Sequence, residues 1–228
     1  MPLNVAILDL TMSYTGTRPG EEAGEMIRRW LTPAMPEATF ARIHIAGGAA
    51  LPPLDSFDAC VLSGSEIGVY DDRDWLPPLR DFLLRARDAR RPLAGICFGH
   101  QIMADVFGGK AENVHQGVRL GVQKFQLDGL EHNAWVWHQD QVTAIPPGAQ
   151  VSGEAAYCPV GALDYEFPAY SVQFHPEFTR DFFDHEIRQA SGKSIDPALA
   201  ELALQQVATE EVAPDLVADR FAEVLRRA

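Results

Sequence analysis

Three short apolar runs punctuate the first half of the chain: Asn4–Leu8 (NVAIL), Asp58–Leu62 (DACVL) and Pro92–Ile96 (PLAGI). Continuous apolarity, rather than alternation, marks strands buried on both faces, as in a parallel sheet covered by helices. Thr39–Ile45 (TFARIHI) alternates apolar and polar positions and predicts a further strand nearer an edge. Helical spacing lies between these runs. Glu21–Leu31 carries Met26, Ile27, Trp30 and Leu31. Pro78–Ala89 carries Leu79, Phe82, Leu83 and Ala86, with Pro77 and Pro78 at its start, where proline is tolerated. Gln101–Phe107 is closed by Gly108–Gly109, which suits a left-handed C-cap. Strand–helix–strand alternation predicts a parallel sheet with right-handed crossovers.

The second half changes character. Gly117–Leu127 (GVRLGVQKFQL) places Val118, Leu120 and Val122 on one face, and the apolar parity then slips to Phe125 and Leu127. That slip predicts a bulge or strand break near Gln123–Lys124. Ala134–His138, Val142–Ile145, Ala156–Leu163 and Ala169–Phe174 are further strand candidates, separated by turn signals such as Pro146-Pro147-Gly148. Consecutive strands with few helices imply antiparallel pairing beside the parallel core. The chain closes with helices, and in the last of them Val217, Phe221, Val224 and Leu225 form one stripe. The expected fold class is α/β: a mostly parallel central sheet with helices on both faces, plus a smaller antiparallel sheet. With no internal repeat or linker-like shift, residues 1–228 read as a single domain with a helical extension over residues 179–228.

Composition narrows the function classes. Lys+Arg total 19 against 32 Asp+Glu, a formal charge of -13, which repels phosphate backbones and anionic membranes. Nucleic acid and membrane are therefore not expected as partners. Cys60, Cys97 and Cys158 are too few and scattered for a disulfide framework, and no C-x-x-C pair exists for a zinc ribbon. An odd, sparse count suits a reducing cytosol. Met1 to Leu10 lacks a basic n-region, and no apolar run reaches the ~18 residues of a bilayer span. The expectation is a soluble cytoplasmic protein.

The chemistry concentrates in Gly95-Ile96-Cys97-Phe98-Gly99-His100-Gln101, which follows a buried strand and opens a helix. A nucleophile on a sharp strand-to-helix turn is pushed out of the sheet, and small flanking residues let the backbone turn. At a helix N-terminus the dipole and free N–H groups favour a thiolate, and the N–H of Phe98 points at a developing oxyanion. Cys60 and Cys158 read instead as inert core thiols. A cysteine nucleophile needs a base, and the base an orienter. Phe174-His175-Pro176-Glu177 supplies both: in an extended segment His175 and Glu177 project to the same side. His138 with Asp140 is the rival base–orienter pair.

The Gly95–Gln101 motif, followed by Val172-Gln173-Phe174-His175-Pro176-Glu177, resembles the class I, or triad-type, glutamine amidotransferases, in order and over roughly Asn4 to Phe178. The resemblance implies a flavodoxin-like fold and hydrolysis of the glutamine side-chain amide through a γ-glutamyl thioester. Cys97 would be the nucleophile, His175 the base and acid, and Glu177 the orienter. Gln101 and the stretch Trp137-His138-Gln139-Asp140 would hold the γ-glutamyl group. The loop Leu62-Ser63-Gly64-Ser65-Glu66 would supply a second oxyanion N–H, from Gly64 or Ser65. The run Val69-Tyr70-Asp71-Asp72-x-x-Trp75 is similar to the branch that holds stand-alone members and those like GMP synthetase, and puts Tyr70 on the substrate pocket.

Asp71, Asp72 and Asp74 read as helix caps and a solvated acidic loop, not a metal site. Gly192-Lys193-Ser194 resembles the end of a phosphate loop, but Ile187 stands where that motif needs glycine. No cofactor is expected, and a synthetase on another chain would take the ammonia. The alternatives are a γ-glutamyl peptide or amide hydrolase, which needs no synthetase, and an inactive γ-glutamyl-binding regulator. Residues 179–228 would dock a partner, form a homodimer or cover the core.

Overall fold

The computed structural model describes residues 2–12 and 17–228. In chain order the elements are β1 (Asn4–Asp9), α1 (Ala23–Leu31), β2 (Thr39–His44), β3 (Ala59–Leu62), α2 (Leu76–Asp88), β4 (Leu93–Ile96), α3 (Phe98–Val106) and β5 (Lys110–Asn113). There follow β6 (Arg119–Leu127), β7 (Leu130–His138), β8 (Asp140–Ala144), β9 (Ala149–Ala155), β10 (Cys158–Tyr165) and β11 (Ala169–Val172), then α4 (Arg180–Ala190), α5 (Pro197–Thr209) and α6 (Asp215–Leu225). One nine-stranded sheet runs β2-β1-β3-β4-β11-β10-β9-β6-β7. Pairing is parallel from β2 to β11 and antiparallel from β11 to β7. A two-stranded antiparallel sheet joins β5 to β8.

Burial explains the parallel half. Val5 and Ile7 pack with Ile27 and Leu31 of α1 and with α6, while Ala6 and Leu8 pack with Leu79, Phe82 and Leu83 of α2 and with α3. Both faces of β1 are therefore apolar, which is why its sequence does not alternate. β2 lies at the edge and is mostly exposed or half-buried, as its alternation predicts. Two helices begin earlier than their apolar spacing suggests. α2 takes Pro77 and Pro78 into its first turn, and α3 starts at Phe98, directly after Cys97. β5 and β9 left no apolar pattern because they are largely exposed or half-buried and are held by backbone pairing.

The bulge expected near Gln123–Lys124 is absent. The β6–β7 register runs unbroken from Arg119↔His138 to Leu127↔Leu130. The parity slip has a different cause: the two ends of β6 are covered on opposite faces. Leu120 and Val122 sit under α4 and α5 with Phe183, Ile187, Ala203 and Val207, whereas Phe125 and Leu127 enter the core shared with α6. The local irregularity of β6 is Gly121, at φ 107°, where a Cβ would meet Ala203 and Gln206 of α5. Gln206 Oε1 in turn accepts from Val122 N–H at 3.1 Å.

The C-terminal helices are thus part of the core. Phe221 of α6 is fully buried, edge-on to Trp30 (5.1 Å) and Tyr170 (5.6 Å). Truncating such a side chain forfeits its transfer energy and leaves a cavity. Phe221→Ala is expected to lower unfolding free energy by about 3 kcal/mol or more, read from urea denaturation. A change within about 0.5 kcal/mol, as for a surface site, would show that α6 is dispensable to the fold.

Candidate functional site

The site is built where β4 turns into α3. Cys97 caps α3 with φ 51° and ψ -103°, a backbone conformation that L-residues other than glycine rarely adopt. Its N–H donates to Val172 O at 2.8 Å, which extends the β4–β11 ladder by one residue and holds the turn. The glycines on either side are required by close approach. A Cβ on Gly95 would lie 2.7 Å from the Gly99 carbonyl carbon, and one on Gly99 would lie 2.6 Å from Leu62 O. Removing both side chains lets α3 start against the ends of β3 and β4, with Cys97 at the tip.

The loop after β3 comes to the same place. Ser63 Oγ accepts from Leu10 N–H and donates to Gly64 O, both at 2.8 Å, and Ser63 O accepts from Gly99 N–H at 3.1 Å. A Cβ on Gly64 would sit 3.0 Å from His175 Cε1 and 3.7 Å from Cys97 Cβ. The backbone N–H groups of Gly64, Ser65 and Phe98 have no protein acceptor among the described residues.

His175 follows β11, its N–H bonded to Trp135 O at 2.9 Å and its ring stacked on Phe178 at 4.1 Å. Nδ1 lies 2.8 Å from Glu177 Oε1, and both side chains are buried. Burial alone would lower the His175 pKa, but the Glu177 carboxylate and the Cys97 sulfur beside the ring reverse this and raise it to about 10. The arrangement can hold a thiolate and an imidazolium side by side. Cys60 and Cys158 are buried too, with their thiols pushed up by burial, Cys158 to about 12.

The rival pair does not form. His138 Nδ1–H donates to the backbone carbonyl of Asp140 at 3.0 Å, not to its carboxylate, and Nε2 accepts from Tyr157 Oη at 3.1 Å. Burial drives this ring down to about 3, so it stays neutral and braces the β7–β8 corner. The Asp140 side chain points elsewhere. Its carboxyl is raised chiefly by burial, lies near the Tyr70 hydroxyl and the Asn113 amide, and leaves Oδ1 buried without a hydrogen-bond partner among the described residues. Tyr70 is 57% exposed at the rim, and Gln139 is exposed on the corner. Trp137 turns its carbonyl to within 4.0 Å of Cys97 Sγ.

Gln101 is buried, its Nε2 donating to Asp140 O at 2.9 Å and to Gln173 Oε1 at 3.2 Å. Two neighbours gave no chemical signal of their own in the sequence. Gln173 is fully buried, with Nε2 3.7 Å from Cys97 Sγ. His100 donates from Nε2 to Val160 O and accepts at Nδ1 from Ser171 Oγ, and burial pushes it down to about 4, a neutral strut under the turn. Among the described residues no group of three or more His, Cys, Asp or Glu side chains could hold a metal ion, and no helix is long and apolar enough to cross a membrane.

Comparison with known proteins places this geometry in a family. The family model described as glutamine amidotransferase class-I matches residues 39–192. A glutamine-hydrolyzing GMP synthase of Azoarcus sp. (strain BH72) is 35% identical over 136 residues, 52% of this chain and 25% of that protein. The chain thus spans about a quarter of the length of the GMP synthases it matches. Gamma-glutamyl peptidase 3 of Arabidopsis thaliana is 27% identical over 180 residues, 72% of either chain. Among solved structures, a glutamine amidotransferase from Thermotoga maritima shares the fold with a TM-score of 0.75, at 20% identity over 100% of this chain and 98% of its own. On the family match over most of its length, the chain belongs to the class I glutamine amidotransferases.

Proposed function

We propose that the protein hydrolyses the side-chain amide of glutamine, or a closely related γ-glutamyl amide, with Cys97 as nucleophile. The observation that carries this reading is the buried contact of three groups: a cysteine on a strained turn, an imidazole beside it, and a carboxylate 2.8 Å from the ring. The Cys97 thiolate attacks the δ-carbonyl, forming a C–S bond and an oxyanion. The unengaged amides of Phe98 and of Gly64 or Ser65 would stabilise that charge, roughly 3 kcal/mol per donor in comparable sites. Collapse breaks the C–N bond, and the leaving nitrogen takes a proton from His175 Nε2. Water then gives a proton to His175 and attacks the thioester, glutamate departs and the thiolate returns. Glu177 holds Nδ1–H throughout and offsets the ring's positive charge.

Substrate would be held at the β7–β8 corner. Gln101 has both Nε2 hydrogens engaged, so only its Oε1 can face a ligand, and Asp140 Oδ1 is a buried acceptor with no partner among the described residues. Two such acceptors suit the α-ammonium of a γ-glutamyl group. The Trp137 carbonyl, Gln139 and the exposed Tyr70 would line the mouth. Released ammonia would pass to a synthetase on another chain. We read residues 1–228 as one domain whose C-terminal helices complete the core, and place it in the cytosol on its three free cysteines.

A γ-glutamyl peptide hydrolase is the second reading. It is favoured by the match to gamma-glutamyl peptidase 3 over 72% of both chains, against a quarter of a GMP synthase. Glutamate release from glutamine, γ-glutamyl dipeptides and their N-acetyl forms separates the readings. The first predicts turnover of glutamine, the second faster turnover of dipeptides, and both predict that acetylation abolishes it. Release from none of these by folded protein whose Cys97 can be alkylated would sink both.

A further inference from the structure

We infer that Gln173 is a positioning residue for the Cys97 sulfur, donating an amide N–H to Sγ from a direction that His175 does not occupy. The amide orientation follows from its neighbours. Gln101 Nε2 donates to Asp140 O (2.9 Å) and to Gln173 Oε1 (3.2 Å). The oxygen of Gln173 is therefore turned to Gln101, and its Nε2 is left to face the sulfur at 3.7 Å. The opposite orientation would set two amide donors against each other and leave the Gln173 oxygen facing the thiolate.

The relay is anchored at each end. Gln101 lies one helical turn beyond Cys97 on α3, its own N–H bonded to Cys97 O at 3.0 Å. Gln173 N–H donates to Gly161 O at 2.9 Å, which ties the residue to β10. Gln173 is fully buried and Gln101 nearly so, so water does not compete for these bonds. A donor held at a sulfur that carries charge favours the charged form, and it also fixes the Cys97 rotamer for attack. Nothing else in the structure accounts for an amide-bearing side chain buried against this thiol.

The inference rests on the reading of Cys97 as nucleophile, so its test uses a readout other than turnover. The full-length protein is alkylated with iodoacetamide across a pH series, and modification of the Cys97 peptide is followed by mass spectrometry. Gln173→Met keeps the chain length and removes the donor. Gln173→Glu keeps an acceptor for Gln101 and puts negative charge beside the sulfur. The Gln173→Met profile is expected to move to higher pH by about one unit, with alkylation about tenfold slower below its midpoint. Gln173→Glu moves it further, and in both variants kcat falls more than KM changes. If both variants keep the wild-type profile, even with a lowered Tm, Gln173 is only a packing residue and the inference falls. If Gln173→Met does not fold, Gln173→Glu alone decides. Glutamate release that survives Cys97→Ala would instead overturn the underlying reading, whatever the alkylation profiles show.

Discussion

Replacing Cys97 by alanine is expected to cut glutamate release by about 10⁴-fold or more, leaving only the acceleration that binding and the oxyanion amides supply. The groups proposed to bind the γ-glutamyl moiety lie on α3 and the β7–β8 corner, so the variant should still bind substrate with little change in Kd. Cys97→Ser should be nearly as inactive. A serine hydroxyl must be deprotonated as it attacks, which needs a neutral imidazole. His175 instead has its pKa raised to about 10, between a carboxylate and the sulfur, and at neutral pH has no capacity to take that proton. The site is built for an ion pair that exists before substrate arrives. Neither remaining thiol can substitute, since Cys60 and Cys158 are buried and burial disfavours their thiolates. Steady-state kinetics with calorimetric binding checks this. Substantial turnover by Cys97→Ala would place the nucleophile elsewhere.

What could be read from the sequence was what burial and close approach dictate. The runs around Val5, Val61 and Ala94 became central parallel strands because a strand with helices on both faces has no polar side to show. Gly95 and Gly99 were informative because each marks a gap of 2.6–2.7 Å that no side chain fits. His175 and Glu177 were linked by their i, i+2 spacing, and the 2.8 Å contact is the result. Gln173 stands two residues before His175, so the same spacing reached it as well. It went unread because glutamine has no titration chemistry to draw attention. What failed depended on tertiary cover. The two ends of β6 are buried by different helices, which mimics a register slip in the sequence. His138 and Asp140 are two residues apart, which suggests a side-chain pair. The corner after β7 presents the Asp140 carbonyl to the ring instead, and carboxylate direction is not encoded in spacing.

Glu177→Gln is expected to lower kcat/KM by about 10³-fold at neutral pH and to change the shape of the pH profile. The side chain keeps its length and an acceptor for Nδ1–H, so the change removes charge rather than packing. In the wild type, burial opposes the His175 imidazolium, and the charges of Glu177 and Cys97 overcome it. Without the carboxylate, burial is opposed by the sulfur alone, and the ring's pKa falls from about 10 toward or below its ordinary value. The alkaline limb of activity, set by loss of the proton that the leaving nitrogen needs, should therefore move down from near pH 10 into the neutral range. Stability follows with a definite sign. A histidine whose pKa is raised on folding stabilises the native state fully below its unfolded pKa of about 6.5, and that stabilisation is lost as pH rises through about 10. In Glu177→Gln the contribution shrinks, so the variant should lose its stability deficit relative to wild type only as pH climbs through that window. Activity and urea-denaturation series over the same pH range test both halves together. An alkaline limb unmoved by the substitution would mean that Glu177 orients the ring but does not hold its charge, and the ion-pair account of Cys97 activation would then rest on burial geometry alone.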